Sequence, residues 1–284
     1  MRTPRPSLRT LSLAAAAAAL LSPRASAWSA NGHKTVALIA ESRLSPQAKA
    51  AVAAILGPTA TLDSIAPCAD DIRGKTGYDC SGITLDDDPL SEPWHFINIP
   101  ITDSPSDGAA LDQYCPMAGS AVSAQAAPKR RRPSPSAGDP GTEPGGAAGA
   151  RPAGQCVRDQ INKDVNILKT SSVLADRQLA LMFLVHFVGD EHQPLHCADE
   201  IVGVVNDRGG NLKNVNFEGT AMNLHALWDH QILPQDSNDP VLTSSRLIAD
   251  LDGKDVSSWT SGDFVSAAAL ESFNIAKTVV YPAY

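Results

Sequence analysis

The chain has 284 residues and a formal net charge of −8, from 31 acidic and 23 basic side chains. Apolar residues make up 43% and charged residues 19%, a globular composition that excludes a chain disordered throughout. The acidic balance argues against a long basic face of the kind that holds nucleic acids through their phosphates.

Residues 1–27 are predicted to be an export signal. Arginines precede the apolar run 11–21, and residues 25–27 (Ala-Ser-Ala) have the small-residue pattern at which signal peptidases cut. The run of about 11 apolar residues is too short to cross a bilayer, which needs about 20. We therefore expect a domain over residues 28–284 that begins at Trp28, has no membrane span and is secreted or periplasmic.

Apolar residues after position 28 recur mostly with helical spacing. Ser45-Pro46 predicts the start of a helix and Gly57-Pro58 its end. An apolar stripe at Val157, Ile161, Val165 and Leu168, a nearly continuous apolar run over 179–188 and a segment over 265–280 predict three further helices. Only residues 94–99 and 215–217 resemble strands. The expected fold class is mainly α, a single-domain helical bundle with a few short β pieces.

Residues 116–155 interrupt this pattern. They are rich in Ala, Gly, Pro and Ser and are predicted to be a disordered insertion. The basic run at 129–132 fits either a nucleic-acid-binding arm or a solvated linker, and the linker is favoured because blocks of like charge are usually disordered.

The five cysteines, at positions 68, 80, 115, 156 and 197, suit an oxidising compartment. A thiolate zinc site is not expected, because no C-x-x-C spacing occurs. We expect two disulfides and one free thiol. The pairing stays open, although Cys115 and Cys156 flank the insertion and a bridge between them would close it.

The seven histidines carry the main chemical signal of the chain. His186 with Asp190 and His225 with Asp229 have i, i+4 spacing, which places each pair on one helix face. His196 follows soon after the first pair. A single pair fits a structural hydrogen bond, but two pairs and a further histidine favour metal. Imidazole and carboxylate without thiolate is typical of catalytic zinc, and so many ligands indicate more than one ion and phosphodiester hydrolysis.

Several motifs, in chain order, resemble those of the S1/P1 zinc nucleases, which are secreted single-strand-specific nucleases and 3′-nucleotidases with the helical fold also used by zinc phospholipase C. The resemblance covers Trp28 to about Tyr281 apart from the insertion. It is carried by Trp28–His33, Ala69–Arg73, Trp94–Phe96, Phe183–His196, Gly209–Asn211 and Asn223–Asp229.

The resemblance implies three zinc ions and assigns their ligands. Trp28, through its α-amino group and carbonyl oxygen, and His33 would bind one ion. Asp70, His95 and His186 would bind a second, with Asp190 bridging the two. His196, His225 and Asp229 would bind the third.

The resemblance also implies a mechanism and its substrates, single-stranded DNA, RNA and 3′-nucleotides. A water bridging the buried ion pair would attack the phosphate. Arg73 would steady the charged transition state, although a surface salt bridge is its alternative role. Phe96 would stack on a base, with core packing as its alternative. His192 and His230 are not among the assigned ligands, so supporting or surface roles are expected for them. The protein is expected to be a monomer.

The sequence departs from the family pattern at several points. Cys68 stands where the family commonly has Trp, and Asn98 stands where it has Asp, which affects base preference because an amide adds donors. The chain stops soon after Tyr281, short of the usual C-terminal helix. The absence of N-x-Ser/Thr acceptors favours a bacterial-type exported protein.

Two other functions fit parts of the pattern. A zinc phospholipase C would share the fold and the N-terminal ligand, but it would have Glu at the position of Asp229. A non-catalytic zinc-binding protein, impaired by the insertion or the short C-terminus, is weakened because Arg73 and a complete ligand set are present.

Overall fold

The computed structural model describes residues 28–88, 91–115, 154–232 and 238–284. Its helices are α1 (Ala30–Arg43), α2 (Pro46–Leu56), α3 (Leu62–Ile65), α4 (Cys68–Asp71), α5 (Gly108–Leu111), α6 (Val157–Thr170), α7 (Leu174–Glu191), α8 (Leu224–Leu227), α9 (Pro240–Leu251), α10 (Phe264–Ile275) and α11 (Tyr281–Ala283). Tighter 3-10 turns cover Glu92–His95, Asp112–Tyr114, Pro194–His196 and Ser257–Thr260, and wider π-helical turns cover Trp228–Ile232 and Ala276–Val280. The expected mainly α fold is confirmed.

Three two-stranded antiparallel hairpins complete the described fold. They are β1 (Tyr78–Cys80) with β2 (Ile83–Leu85), β3 (Ile201–Val202) with β4 (Val205–Asn206), and β5 (Asn214–Phe217) with β6 (Thr220–Asn223). The prediction of a strand at 215–217 is confirmed. The other strands are two to four residues long, so they leave almost no period-2 pattern to detect in the sequence.

Helix boundaries follow local capping chemistry. The Ser45 hydroxyl accepts from the Ala48 amide at 3.1 Å, and Pro46 occupies the first turn of α2, where its missing N–H costs nothing. Gly57 ends that helix at φ 78°. The predicted start and end of α2 are therefore confirmed.

Helix α7 ends at Glu191, three residues before Pro194, which opens the following turn.

Helix α7 is the centre of the fold. It packs against α6, α1 and the short helices before β1. Phe183 and Phe187 on α7 stack with ring centroids 5.0 Å apart, and Phe187, Ile65 and Ile161 are fully buried. The apolar stripe of α6 and the run over 179–188 therefore form one core, as their patterns predicted.

The strand prediction for residues 94–99 is wrong in part. Pro93 opens a 3-10 turn over Glu92–His95, so Trp94 and His95 belong to a helical turn. The following residues are extended and run beside the segment after α7: the Ile97 amide donates to the His196 carbonyl at 2.8 Å. This contact brings the end of the turn next to the end of α7.

The disulfides are Cys68–Cys80 and Cys115–Cys156, and Cys197 is a buried free thiol. Two bridges and one free cysteine are confirmed. Of the predicted insertion, residues 116–153 lie outside the described part, whereas Gly154 and Gln155 are placed: Trp94 Nε1 donates to Gln155 Oε1 at 2.9 Å. The predicted export signal, residues 1–27, also lies outside the described residues. None of the described helices is long and apolar enough to cross a membrane.

Removing the Cys68–Cys80 bridge is expected to destabilise the fold and the site together. The bridge joins α4, which carries Asp70, to β1, and it closes a loop with a sequence separation of 12. Loop closure of this size corresponds to about 3 kcal/mol. The Cys68→Ala/Cys80→Ala variant should lose about that much in denaturant unfolding and should bind less zinc.

The matched control is Cys115→Ala/Cys156→Ala, which removes the bridge at the start of α6. It should lower the free energy of unfolding while the zinc content of folded protein stays unchanged. Equal zinc loss in both double variants would show that the Cys68–Cys80 bridge has no special role in holding Asp70.

Candidate metal centre

Four separate elements supply the histidine and carboxylate side chains of the buried part of the site. His33 lies in the first turn of α1, whose N-cap Ser29 accepts from the Gly32 amide at 3.3 Å. Asp70 lies on α4, and His95 ends a 3-10 turn. His186 and Asp190 lie one turn apart on α7. The bundle thus brings together residues up to 157 positions apart in the sequence.

Asp190 is at the centre of the buried part of this site. Its Oδ1 lies 3.4 Å from His33 Nε2, and its Oδ2 lies 2.8 Å from His95 Nδ1 and 3.3 Å from His186 Nε2. Asp70 Oδ1 lies 3.6 Å from His186 Nε2. The two oxygens of one carboxylate therefore face different histidines, as a bridging ligand requires.

Three groups of histidine and carboxylate side chains converge, with the ligand atoms of each group within 4.8 Å of one another. The first is His33, His186 and Asp190, the second is Asp70, His95 and His186, and the third is His196, His225 and Asp229. The first two groups share His186. These groups contain every predicted side-chain ligand of the site.

Trp28 is also close to the site. Its side chain is buried at 9% exposure. The amide of the next residue, Ser29, donates to the carbonyl oxygen of Asp229 at 2.9 Å. The predicted start of the mature chain therefore lies beside the third group, where a free α-amino group would be available as a ligand.

Backbone carbonyls orient three of the histidines. Nδ1 of His186 lies 2.8 Å from the Ala66 carbonyl, Nδ1 of His196 lies 2.6 Å from the His95 carbonyl, and Nδ1 of His225 lies 2.7 Å from the Gly209 carbonyl. A carbonyl oxygen only accepts, so each Nδ1 carries a proton and each ring turns its Nε2 towards the cluster, where the neutral form of the ring can bind a cation. This arrangement is typical of metal-binding histidines.

Buried polar atoms without a hydrogen-bond partner mark the centre of the site. They are both ring nitrogens of His33, Nε2 of His95, Nε2 of His186 and Oδ1 of Asp190. Such atoms cost about 1–3 kcal/mol each when nothing satisfies them. Cations held between the rings and carboxylates would satisfy them, so the residues present fit a metal cluster.

Burial keeps most of the histidines neutral. It lowers the pKa of His33, His95 and His196 well below the usual range and the pKa of His225 to about 4. At His186 burial is outweighed by Asp190 and Asp70, and the pKa rises to about 9. Neutral imidazole is the form that binds metal, and a cation would replace the proton of His186.

Burial has the opposite effect on the carboxyl groups. It raises the pKa of Asp190 to about 6 and raises the pKa of Asp229 well above its usual value. Both groups hold a proton more tightly than a surface aspartate does, because nothing in their buried surroundings fully balances the charge. Divalent cations would supply that balance, and binding would release protons.

Gln193 is a contributor that the sequence did not single out. Its Nε2 donates to Asp229 Oδ1 at 2.7 Å, and its side chain is fully buried. It therefore fixes the carboxylate that completes the third group. The only hint in the sequence is its position between His192 and Pro194, inside a run rich in candidate ligands.

Arg73 borders the cluster, and Phe96 directly follows the candidate ligand His95 in the sequence. Arg73 Nη2 lies 2.6 Å from Asp70 Oδ1, with its side chain 15% exposed, so the alternative of an ion pair with Asp70 is observed, but at the edge of the site rather than on an open surface. Phe96 is half-buried. In the described part of the chain it is not among the residues packed on the core, which leaves its ring available for other contacts.

The remaining predicted residues are at the surface. Asn98 is exposed, two residues after Phe96. His192 and His230 are exposed as well, and the Nδ1 of His192 lies 2.7 Å from the Val188 carbonyl. Neither histidine belongs to a converging group. Their assignment to surface or supporting positions agrees with this placement.

Together the fold and the site define a mainly helical protein with a buried cluster of imidazole and carboxylate groups suited to several metal ions. Comparison with known proteins gives the family. The sequence profile of the family described as S1/P1 Nuclease matches residues 28–131 and 142–284. The chain belongs to the S1/P1 nuclease family.

Individual relatives agree with this family assignment. Nuclease S1 of Aspergillus oryzae is 29% identical over 226 residues, which are 79% of this chain and 61% of that protein. Nuclease P1 of Penicillium citrinum is 31% identical over 206 residues, 71% of this chain and 57% of that protein. Endonuclease 2 of Arabidopsis thaliana is 28% identical over 217 residues, 74% of this chain and 58% of that protein. The chain thus matches about three-fifths of the length of these relatives.

Proposed function

We propose that the protein is a zinc-dependent endonuclease that hydrolyses phosphodiester bonds of single-stranded DNA and RNA and acts as a 3′-nucleotidase at the same site. The observation that carries the proposal is the convergence of three ligand groups around Asp190 and Asp229. Family membership and the nuclease and endonuclease names of the relatives support it. We propose three zinc ions, one for each group, with Trp28 as an additional ligand.

Zinc bound in these groups would supply a nucleophilic water and neutralise charge on the phosphate. The chain's own residues would hold the ions and the substrate. Asp190 would serve as a ligand shared by two ions, because each of its oxygens faces a different histidine. Asp70 belongs to the second group and is itself held by Arg73. The carbonyl contacts of three rings keep the ligand nitrogens in place without rearrangement during the reaction.

Arg73 and Phe96 would bind the substrate next to the ions. The Arg73 guanidinium is close enough to the cluster to lower the pKa of His95, after the larger effect of burial. We propose that it donates to a phosphate oxygen as charge builds up. Phe96 would stack on a base, and the exposed Asn98 amide would contact a base edge.

The burial of the cluster favours single strands. His33 and Asp190 have no exposed surface, and His95 and His196 are at most 3% exposed. A duplex backbone is stiff, whereas a single strand can bend to bring one phosphate to the ions and one base onto Phe96. The net charge of −8 also favours binding through one or two phosphates over a long basic groove.

We propose that the active form is exported and cleaved before Trp28. The two disulfides suit an oxidising compartment. The backbone contact between Ser29 and Asp229 supports this proposal, because an N-terminus created at Trp28 would lie beside the site. N-terminal sequencing of the exported protein tests the cleavage point.

The proposed activity is tested on the protein matured at Trp28. Single-stranded DNA, RNA, 3′-nucleotides, duplex DNA and phosphatidylcholine are assayed with and without a chelator. We expect chelator-sensitive hydrolysis of the first three and little of the last two. Zinc binding without hydrolysis would instead favour a non-catalytic protein, and hydrolysis of phosphatidylcholine alone would favour a phospholipase.

Arg73→Ala is expected to lower kcat about 10²–10³-fold, the usual loss when one charge-stabilising donor is removed. The KM should change less, because the contact strengthens mainly in the transition state. Steady-state kinetics on a 3′-nucleotide measure both constants. Asp71→Asn, which changes the neighbouring exposed carboxylate, is the control and should leave kcat within about twofold. An unchanged kcat in Arg73→Ala would leave that residue with a structural role only.

A further inference from the structure

A cavity of about 160 Å³ lies between α6, α7 and the chain that leaves β2. Its apolar wall consists of Trp94, Phe183, Ile167, Leu179 and Ala180. A cavity of about 150 Å³ is large enough to hold benzene. The space therefore fits a small organic molecule of about six non-hydrogen atoms.

The polar lining of this cavity is mainly acidic. Four carboxyl side chains line it, those of Asp86, Asp88, Asp164 and Asp176, against one cationic side chain, Lys163. A nucleotide or another anion would be repelled by this set. The cavity is therefore chemically different from the proposed nuclease site, where cations would attract phosphate.

Asp164 is the most informative of these groups. It is only 4% exposed, and its Oδ2 has no hydrogen-bond partner. Burial raises the pKa of its carboxyl group to about 8, against a smaller lowering by Lys163. A carboxyl group buried without a partner is costly, and this one lines a space that could hold a partner.

Lys163 shows which kind of group the cavity wall attracts. Its Nζ lies 4.7 Å from the centre of the Trp94 ring and 3.3 Å from Gln160 Oε1. An ammonium group over an aromatic face gains from the ring quadrupole. The wall of the cavity thus already holds one primary ammonium group, from within the chain.

A metal ion is a poorer fit than an organic cation. Among the described residues, the sets of three or more potential ligand atoms within 4.8 Å of one another do not include the carboxylates of this cavity. Calcium and magnesium need six or more oxygens in close contact. The aromatic and aliphatic wall would also be left without a partner.

We propose that this cavity is a binding site for a small primary alkylammonium compound, whose ammonium group donates to Asp164 and whose alkyl chain lies against Trp94 and Phe183. The site does not depend on the proposed nuclease function, since its lining excludes every member of the three metal-ligand groups. Asp86, Asp88 and Asp176 would add long-range attraction at the cavity.

The proposal is tested by calorimetric titration of the zinc-loaded protein with n-butylammonium chloride, in a buffer without primary amines. The neutral isostere 1-butanol and calcium chloride are titrated in parallel. We expect butylammonium to bind about tenfold or more tightly than 1-butanol, since charge-assisted hydrogen bonds are the stronger kind. The tryptophan fluorescence of the protein should change on binding, because the Trp94 ring lines the cavity.

Two variants act in opposite directions. Asp164→Asn should weaken butylammonium binding about tenfold or more, because it removes the accepting charge. Lys163→Met should strengthen it, because it removes the competing ammonium and frees the Trp94 ring. Asp250→Asn, an exposed carboxylate outside the cavity, controls for net charge and should change nothing.

Binding should also depend on pH. Asp164 shares the cavity with Lys163 on its own helix, Asp176 on α7, and Asp86 and Asp88 after β2. Its pKa is about 8, so it keeps its proton at a pH below that value. The ligand favours the ionised carboxylate, so binding near pH 7 should release protons and the affinity should rise towards pH 9. An alkylammonium group, with a pKa of about 10.4, stays charged over this range.

Three results would overturn the proposal. One is no saturable butylammonium binding in the wild type or in Lys163→Met, the variant that leaves Asp164 intact. Another is equal affinity for butylammonium and 1-butanol, which would indicate an apolar cavity only. The third is displacement of butylammonium by calcium, which would indicate a metal site. Nuclease activity is not measured in these experiments, so a protein without nuclease activity would leave the proposed alkylammonium site unaffected.

Discussion

Asp190→Asn is expected to remove two ions and nearly all hydrolytic activity. Asp190 faces His33 through Oδ1 and His95 and His186 through Oδ2, with no exposed surface. An amide has the same shape but no charge, and its nitrogen donates and cannot bind a cation. Changes in groups that merely support a ligand cost about 10–100-fold, so loss of the shared ligand should cost more than about 100-fold in kcat.

Zinc content and steady-state kinetics of Asp190→Asn test this expectation. The third group, at His196, His225 and Asp229, does not include Asp190 and should keep its ion. Glu191→Gln is the matched control, because Glu191 is the next residue, is equally inaccessible at 2% exposure and belongs to no ligand group. Full activity in Asp190→Asn, or equal zinc loss in the control, would contradict the assigned bridge.

Gly209→Ala is expected to destabilise the protein and to remove the third ion. Gly209 has φ +60°, a conformation that costs a residue with a Cβ about 1–2 kcal/mol. Its Cβ would also meet the carbonyl oxygen of Leu195, which is backbone and cannot swing away. The Gly209 carbonyl accepts from His225 Nδ1 and its amide donates to Asp199 Oδ1. Any displacement of the backbone at position 209 would therefore also displace the His225 ring.

Gly203→Ala separates the backbone cost from the clash. Gly203 has φ +66° with nothing within 4 Å of the added Cβ. The free energy of unfolding of the Gly203→Ala variant, measured with denaturant, should fall by about 1–2 kcal/mol, and its zinc content should stay unchanged. Gly209→Ala should lose more than this and should bind one ion fewer per chain. Equal stability and zinc content in the two variants would show that the Gly209 turn does not hold His225.

The sequence predicted the parts of the fold that depend on local chemistry. The capped start at Ser45-Pro46 was sufficient to predict α2, and the apolar run over 179–188 was sufficient to predict α7. The spacing of His186 with Asp190 was sufficient to place two ligands on one helix face. Each of these features is set by residues within one or two helical turns, where periodicity and capping act.

The convergence of distant ligands could not be predicted from local pattern. Asp70 and His95 lie on short turns whose position depends on the Cys68–Cys80 bridge and on the extended contact between Ile97 and His196. Only the resemblance to a family connected them with α7 beforehand. Gln193 was missed because a buried amide that holds a carboxylate has no spacing rule of its own.

The acidic composition also has a different meaning in the structure than in the sequence. Asp70, Asp190 and Asp229 face histidines in the metal-ligand groups, and four further carboxyl groups line the cavity beside α6. Seven of the 31 acidic side chains are therefore gathered at places suited to cations. Net charge alone argued against long polyanions, but it did not exclude a partner whose phosphate binds through metal.

We propose above all that a cluster of three zinc ions carries out the hydrolysis. The most direct test is the amount of zinc per chain, by mass spectrometry, in protein matured at Trp28, together with hydrolysis of single-stranded DNA before and after chelation. We expect three zinc ions per chain, loss of hydrolysis when they are removed and recovery when zinc is restored. Hydrolysis that persists in metal-free protein, or a fully active protein with one ion per chain, would show that the three-zinc cluster is not the catalyst.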